Sequence, residues 1–99
     1  MSKPSVKFII KKWLRKRLNN GNKLVVSHEI ETDLVEYGKE YWGCLHTPST
    51  YSRAWRQLKA SDELKEIDVF GVRRVNNKSV ETTWKLQTGE VPYQSTLGF

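Results

Sequence analysis

Residues 47–61 constrain the fold of this 99-residue chain more than any other stretch. Thr47 precedes Pro48, a pair typical of a helix start, because the hydroxyl accepts from a free amide of the first turn and proline gives up a donor that has no partner there. An apolar stripe then recurs at the helical spacing i, i+3, i+4 and i+7, formed by Tyr51, Ala54, Trp55 and Leu58. The sequence therefore predicts an amphipathic helix with a sharp start and one buried side.

The opposite side of this predicted helix combines cations with neutral hydrogen-bonding groups and has no carboxylate before Asp62. Arginine can pair with guanine and glutamine with adenine, while serine or threonine can reach a base or a phosphate. A merely solvated polar face is the alternative interpretation. The candidate nucleic-acid contacts on this side are Ser49, Thr50, Ser52, Arg53, Arg56, Gln57 and Lys59.

The net charge of +6 is unevenly distributed along the chain. Residues 1–24 contain eight Lys or Arg and no acid, residues 25–46 have a net charge of −4, residues 47–61 have +3 and residues 62–99 have −1. Such a balance favours an acidic partner such as DNA, RNA or an anionic membrane, with an unengaged basic surface as the alternative. The cations are therefore concentrated on two predicted helices, the first and the central one.

Several classes of protein are not expected from this sequence. A single cysteine, Cys44, indicates a reducing compartment, and no apolar run is long enough for a membrane span or placed as in a signal peptide. Cys44, His46 and His28 lack the spacing of a zinc site, and no P-loop, nucleophile elbow or other catalytic set is present. We therefore expect a cytoplasmic (nucleoid-associated) or nuclear protein that is not an enzyme and has no metal or other cofactor.

Hydrophobic periodicity and turn residues predict the remaining elements. Ser27 is expected to cap the second helix, Gly38 to end it and Gly71 to mark a bulge in a strand. The four Trp residues are interpreted as core or core-capping residues. The predicted elements are a basic amphipathic helix over 5–19, a short strand over 23–27, a helix over 28–37, a loop over 39–46, a strand over 64–75, a turn over 76–79, a strand over 80–86 and a tail over 87–99.

Residues 49–58, with the sequence STYSRAWRQL, resemble the recognition helix of winged helix-turn-helix DNA-binding domains. The predicted order of helices and strands over residues 5–86 resembles the same superfamily. The resemblance implies an α+β fold, a three-helix winged helix-turn-helix with a C-terminal β-hairpin wing over residues 1–86, followed by a tail over 87–99. It also implies that the third helix enters the major groove and the wing contacts the adjacent backbone or minor groove, which adds the DNA-binding candidates Arg73, Arg74, Asn76, Asn77 and Lys78.

The function expected from this resemblance is that of a small free-standing DNA-binding protein, either a transcriptional regulator or an accessory factor in replication or recombination. Its expected partner is double-stranded DNA, with no membrane. Two alternatives stay open at the level of the sequence. A winged helix can serve as a protein-binding adaptor, here through the acidic second helix or the C-terminal tail. The basic first helix can instead bind RNA.

Overall fold

Helices and a three-stranded antiparallel sheet form an α+β fold, which a computed structural model describes for residues 4–78 and 81–89. The predicted first helix and first strand are confirmed to within one residue at each end, and the central helix begins at Pro48 as expected. In chain order the elements are α1 (Val6–Asn19), β1 (Leu24–Val26), α2 (Ser27–Glu31), α3 (Asp33–Trp42), α4 (Pro48–Lys59), a 3₁₀ helix (Glu63–Ile67), β2 (Val69–Lys78) and β3 (Glu81–Thr88).

The sheet has the strand order β1-β3-β2, so the short first strand pairs with the last one. The pair Val25 and Trp84 joins β1 to β3, and the pair Val72 and Leu86 joins β2 to β3. The register of β2 shifts twice, once next to Gly71 and once between Arg74 and Asn76. The predicted irregularity at Gly71 is therefore confirmed, and the second shift was not predicted.

The core lies between α1, α3, α4 and the inner face of the sheet. The whole predicted stripe of α4 is buried, with Tyr51 and Leu58 fully inaccessible to solvent. Trp13 and Trp55 are buried members of the core, while Trp42 and Trp84 are half-buried and pack against it. The interpretation of the four Trp residues as core or core-capping residues is confirmed.

Both long helices that carry cations have a side-chain cap at their N-terminus. The Ser5 hydroxyl accepts from the Phe8 amide at 3.2 Å, and the Thr47 hydroxyl accepts from the Thr50 amide at 3.3 Å. Each cap satisfies one of the amides that a helix start leaves without an intrahelical partner. The starts of α1 and α4 are therefore fixed by their own sequences.

The predicted end of the second helix at Gly38 is wrong. α2 is interrupted at Thr32, and α3 then continues through Gly38 to Trp42, where Gly43 ends it with a left-handed φ of 63°. Gly38 is buried inside α3 because the Tyr51 ring of α4 lies directly against it, and a Cβ there would overlap the Tyr51 hydroxyl. This glycine permits a close approach of two helices, so the predicted loop over 39–46 shrinks to residues 43–47.

The predicted cap at Ser27 is also wrong, because Ser27 is the first residue of α2. Its hydroxyl accepts instead from the Thr82 amide of β3 at 3.1 Å. The amide of Val26, which precedes the helix, donates to the Glu29 carboxylate at 3.0 Å. Ser27 therefore ties α2 to the sheet, and Glu29 supplies the cap.

The predicted strand over 64–75 begins five residues late, at Val69. Leu64 and Ile67 are buried three residues apart, which matches the three residues per turn of the 3₁₀ helix that they occupy. Asp68, at a φ of 63°, then separates this helix from β2. β2 extends to Lys78, so most of the predicted turn over 76–79 belongs to the strand, and residue 79 lies outside the described residues.

The last strand ends at Thr88, two residues beyond the predicted strand and domain limit at residue 86. The predicted C-terminal tail, from residue 90 onward, lies outside the described residues. Within the described ranges, no helix is long and apolar enough to cross a membrane.

Candidate nucleic-acid interface

α4 presents a polar surface along its length, opposite its buried stripe. Ser49, Ser52, Arg53 and Arg56 recur at i, i+3, i+4 and i+7, so they lie on one side of the helix, with Gln57 at its flank. Arg53, Arg56 and Gln57 are exposed and form no hydrogen bond or ion pair with any residue that the structure describes. Two guanidinium groups and one amide are therefore available to an external partner.

The hydroxyl groups at the start of α4 are linked to its cap. The Thr47 hydroxyl lies 3.2 Å from the hydroxyl of Ser49 and 2.9 Å from that of Thr50. Each hydroxyl keeps further hydrogen-bonding capacity, since it can donate once and accept twice. Ser49 and Thr50 thus add a cluster of neutral hydrogen-bonding groups at the N-terminal end of the cationic surface.

Lys59, in the last turn of α4, lies between the helix and the sheet. Its Nζ is 4.2 Å from the centroid of the Trp84 ring, a cation–π contact with β3, and Trp84 in turn meets Trp55 edge to face at 5.6 Å. Burial lowers the pKa of the Lys59 ammonium below its ordinary value, and the positive charges of Arg74 and Arg56 lower it further. Three cations from α4 and β2 therefore converge at the C-terminal end of α4.

This convergence has no compensating acid on α4, because the helix contains no Asp or Glu. A cation whose pKa is lowered by burial and by like charges is held at an energetic cost in the free protein. An anion placed beside Lys59, Arg56 and Arg74 would lower that cost. Chemically, the site fits a phosphate group.

The structure resolves which way the two consecutive arginines of β2 point. Arg74 pairs with Trp84, so it shares the inner face of the sheet that packs against α4, whereas Arg73 pairs with Lys85 on the outer face. Asn76 pairs with Thr83 and is exposed on the outer face as well.

Ten of the twelve predicted site residues are therefore divided between two surfaces. The seven residues of α4 and Arg74 lie together, while Arg73 and Asn76 lie on the opposite side of the sheet. Asn77 and Lys78 continue the β2 backbone, pairing with Thr82 and Glu81.

α1 carries six cations, but most of them already have partners. Its ion pairs connect Lys7 to Glu63 at 3.2 Å and Lys11 to Glu66 at 3.0 Å, both acids lying on the 3₁₀ helix. Arg17 donates to the Glu29 carboxylate at 2.9 Å.

The remaining α1 cations differ in their surroundings. Lys12 and Lys16 lie over the aromatic rings of Phe8 and Tyr41, at 5.3 Å and 4.6 Å from the ring centroids. Arg15 is exposed and forms no contact of this kind with the described residues. Of the six cations of α1, three are thus paired with carboxylates, two lie against aromatic rings and one has neither kind of contact.

Two residues of this region were missed by reasoning from the sequence alone. Trp84 was assigned only to the core, although its ring also holds Lys59 in place. Lys85 was not among the candidates, and its position directly opposite Arg73 depends on the register of the hairpin. The bulges in β2 make that register unreadable from a simple alternation of polar and apolar residues.

Other kinds of site are not found in the described parts of the chain. No group of three or more His, Cys, Asp or Glu side chains there could hold a metal ion. Cys44 is buried and forms no disulfide. Comparisons with models of protein families, with curated proteins and with solved structures find no match to this chain.

Proposed function

We propose that this protein is a small DNA-binding protein with a winged helix-turn-helix architecture, in which α4 enters the major groove and the β2–β3 hairpin lies beside the phosphate backbone. The observation that carries the proposal is the polar surface of α4, where Arg53, Arg56 and Gln57 are exposed without internal partners. Their side chains match the donors and acceptors of guanine and adenine in the major groove.

The dimensions of α4 support this placement. A helix of 12 residues is about 18 Å long, and the major groove of B-form DNA is wide enough to admit one α-helix. α4 follows α3 through a connection of only five residues, 43–47, that begins with a left-handed glycine. This connection is longer than the helix-turn-helix turn of about three to four residues but contains glycine as that turn often does, and α3 would then cross the backbone while α4 reads the bases.

The order of the elements also supports the winged helix proposal. Four α-helices and a 3₁₀ helix precede the β2–β3 hairpin, with α2 and α3 occupying the place of the predicted second helix, and β1 completes the sheet beside β3. Arg74 places a cation of the hairpin next to the end of α4, where it converges with Lys59. In the proposed complex, this end of α4 holds a phosphate while its middle faces the bases.

A role in RNA binding through α1 receives less support. Lys7, Lys11 and Arg17 form ion pairs with carboxylates of the same chain. A polyanion would have to displace those carboxylates before it could use these cations. The unpartnered cations of α4 have no such competitor, which favours α4 as the nucleic-acid surface.

A protein-binding adaptor is the second candidate function. The observation in its favour is the pair Tyr41 and Leu45, which are 63% and 79% exposed at the end of α3 and in the following connection. Acidic side chains of α3 lie on the same element, among them Asp33, Glu36 and Glu40. A partner with an apolar and basic surface would fit this region.

The experiment that distinguishes these functions starts with selection of duplexes from a random library. Binding of the selected duplex is then measured by fluorescence anisotropy for the wild type, R53A, R56A and the control R15A, which removes another exposed arginine, from α1. We expect R53A and R56A each to lose about 1–3 kcal/mol of binding free energy, and R15A to lose less. An arginine that reads a base also relaxes the preference at one position, whereas a phosphate contact weakens all duplexes equally.

Unchanged affinity in both α4 variants, with the helical circular dichroism of the wild type retained, would remove α4 from the interface. Failure of the wild type to bind any selected duplex, together with loss of a captured protein partner on mutation of Tyr41 and Leu45, would favour the adaptor function.

A further inference from the structure

The two consecutive arginines of β2 lie on opposite faces of a sheet that is one layer thick. Arg74 shares the inner face with Trp84, which contacts α4 through Trp55. Arg73 shares the outer face with Lys85. The hairpin therefore directs positive charge both toward the α4 surface and away from it.

Arg73 and Lys85 form a pair of like charges at directly opposed positions on neighbouring strands. Such a pair destabilises a sheet, because the Cβ atoms of opposed residues are only about 5 Å apart. Both side chains are exposed, and neither has a hydrogen bond or ion pair within the described part of the chain. The acid on this face of β3 is Glu81, four residues along the strand and so about 13 Å away, which is beyond the screening distance in physiological salt.

The neighbours of this pair are suited to bind phosphate. A groove of about 240 Å³ runs across this side of the sheet, and none of its described lining residues is acidic. Neutral hydrogen-bonding side chains share the outer face, namely Asn76, Thr83 and Gln87. The groove is lined by Lys23, Arg73, Lys85, Leu86, Gln87 and Thr88.

We propose that the outer face of the sheet, centred on Arg73 and Lys85, binds the phosphate backbone of a second DNA duplex, so that one protein molecule bridges two duplexes. This inference rests on the proposed function, in which the first duplex occupies α4. A duplex bound along α4 would have to fold back around the edge of the sheet to contact its opposite face too, which is a larger deformation than the bends of about 40–90° that proteins impose on short DNA sites. The second surface contacts backbone alone and adds no sequence preference.

The direct test is the stoichiometry of complexes with a short duplex, measured by sedimentation equilibrium with saturating DNA at low salt. The variants are R73Q/K85Q and a matched control, R15Q/K39Q, which removes two other exposed positive charges of α1 and α3. We expect two duplexes per protein monomer for the wild type and the control, and one for R73Q/K85Q. The slope of log affinity against log salt for the second duplex corresponds to about two phosphate contacts, or about 1.8.

Three results would overturn the inference. The wild type binds a single duplex, or two duplexes assemble only on a protein dimer, or R73Q/K85Q still binds two. In each of these results the wild type binds its first duplex, so the proposed function stands. A wild type that binds no duplex under any condition overturns the proposed function, and this inference with it.

Discussion

α1 and α4 are both amphipathic helices with a basic outer side, yet they use their charge differently. α1 has the greater number of cations, but carboxylates of the 3₁₀ helix pair with Lys7 and Lys11, and aromatic rings lie beneath Lys12 and Lys16. α4 has three cations and no acid, and its Arg53 and Arg56 have no internal partner among the described residues. When ion pairs and aromatic contacts are both counted, α1 keeps only Arg15 without such a contact among the described residues, whereas α4 keeps Arg53 and Arg56.

This difference shows that charge density along a sequence is an incomplete guide to a binding surface. What matters for a polyanion is the charge that remains after the fold has formed its own ion pairs. Glu63 is 56 residues from Lys7 along the chain, so only the folded structure brings the two together. Surface ion pairs of this kind contribute little to stability, but they lower the positive potential that a polyanion would meet.

The largest effect, a change in stability, is expected from substitution of Gly38. This glycine lets α3 approach Tyr51 of α4, and Ile9 of α1 lies next to the same position. G38A places a methyl group into the Tyr51 hydroxyl, and overpacking of a core costs about 1–3 kcal/mol. Alanine recovers up to about 1 kcal/mol of that through its higher helix propensity. We expect a net loss of about 1–2 kcal/mol in the free energy of unfolding, measured by urea denaturation.

A second variant separates this overlap from other effects of the substitution. The Tyr51 hydroxyl is buried and lacks a hydrogen-bond partner among the described residues, and burial raises its pKa, with Cys44 contributing. Y51F removes this oxygen, so G38A/Y51F should be more stable than G38A. Equal stability of G38A and G38A/Y51F would show that the close approach of α3 and α4 is not what limits residue 38.

The next effect concerns the protonation of Lys59. Burial lowers the pKa of Lys59, and the charges of Arg74 and Arg56 lower it further, so the charged form is disfavoured in the free protein. The resulting loss of stability is relieved as the pH rises through the lowered pKa. A bound phosphate favours the charged form, so affinity for DNA should fall over the same rise in pH. K59R stays charged, and its affinity should fall less.

The measurement compares Kd of the wild type and of K59R at about pH 7 and about pH 9.5, below the ordinary lysine pKa near 10.4. We expect the wild type to lose a few-fold more affinity than K59R, with a limit of about tenfold for each pKa unit of depression. K65R serves as the matched control, since Lys65 is exposed on the 3₁₀ helix and is not one of the three cations that converge at the end of α4. Parallel pH profiles for the wild type and K59R would exclude Lys59 from the phosphate site.

The smallest effect on stability is expected when the carboxylates that pair with α1 are removed. The same change is expected to affect binding to DNA. The hydrogen bond from Lys7 holds the pKa of Glu63 below its ordinary value, so Glu63 contributes stability above its unfolded pKa and loses it as the pH falls through the folded pKa. E63Q/E66Q should lower the free energy of unfolding only slightly at neutral pH, because exposed ion pairs contribute little, and the difference should disappear in acid. The released Lys7 and Lys11 should then strengthen nonspecific binding to duplex DNA, seen as a steeper salt dependence. Unaltered salt dependence would mean that compensation by Glu63 and Glu66 is not what keeps α1 from binding.

Local signals in the sequence account for much of this fold. Local signals were sufficient to predict α4, namely the Thr47 cap, Pro48 and the apolar stripe. Each of them depends on residues that lie within about two helical turns of one another. Gly38 was misread because glycine is common at helix ends, and its real role depends on Tyr51, 13 positions later. The 3₁₀ helix was missed because Leu64 and Ile67 fit an irregular strand as well as a turn of helix.

The candidate site was likewise predictable where it depends on one element and not where it depends on contacts between elements. The polar surface of α4 followed from periodicity alone, but the separation of Arg73 from Arg74 required the register of the hairpin. The convergence of Arg74 with Lys59 and the internal pairing of the α1 cations are contacts between elements far apart in sequence. No pattern within a single element could have predicted them.

The central claim, that α4 and not α1 carries the nucleic-acid surface, is tested most directly by the salt dependence of duplex binding in two double variants. K59Q/R74Q and K12Q/K16Q each remove two positive charges, so their net charges match. For K59Q/R74Q we predict that the slope of log affinity against log salt falls by about 1.8, the value for two phosphate contacts, and that K12Q/K16Q changes it by less than about 0.9. An unchanged slope in K59Q/R74Q with a loss of about 1.8 in K12Q/K16Q would contradict the account and identify α1 as the surface that binds nucleic acid.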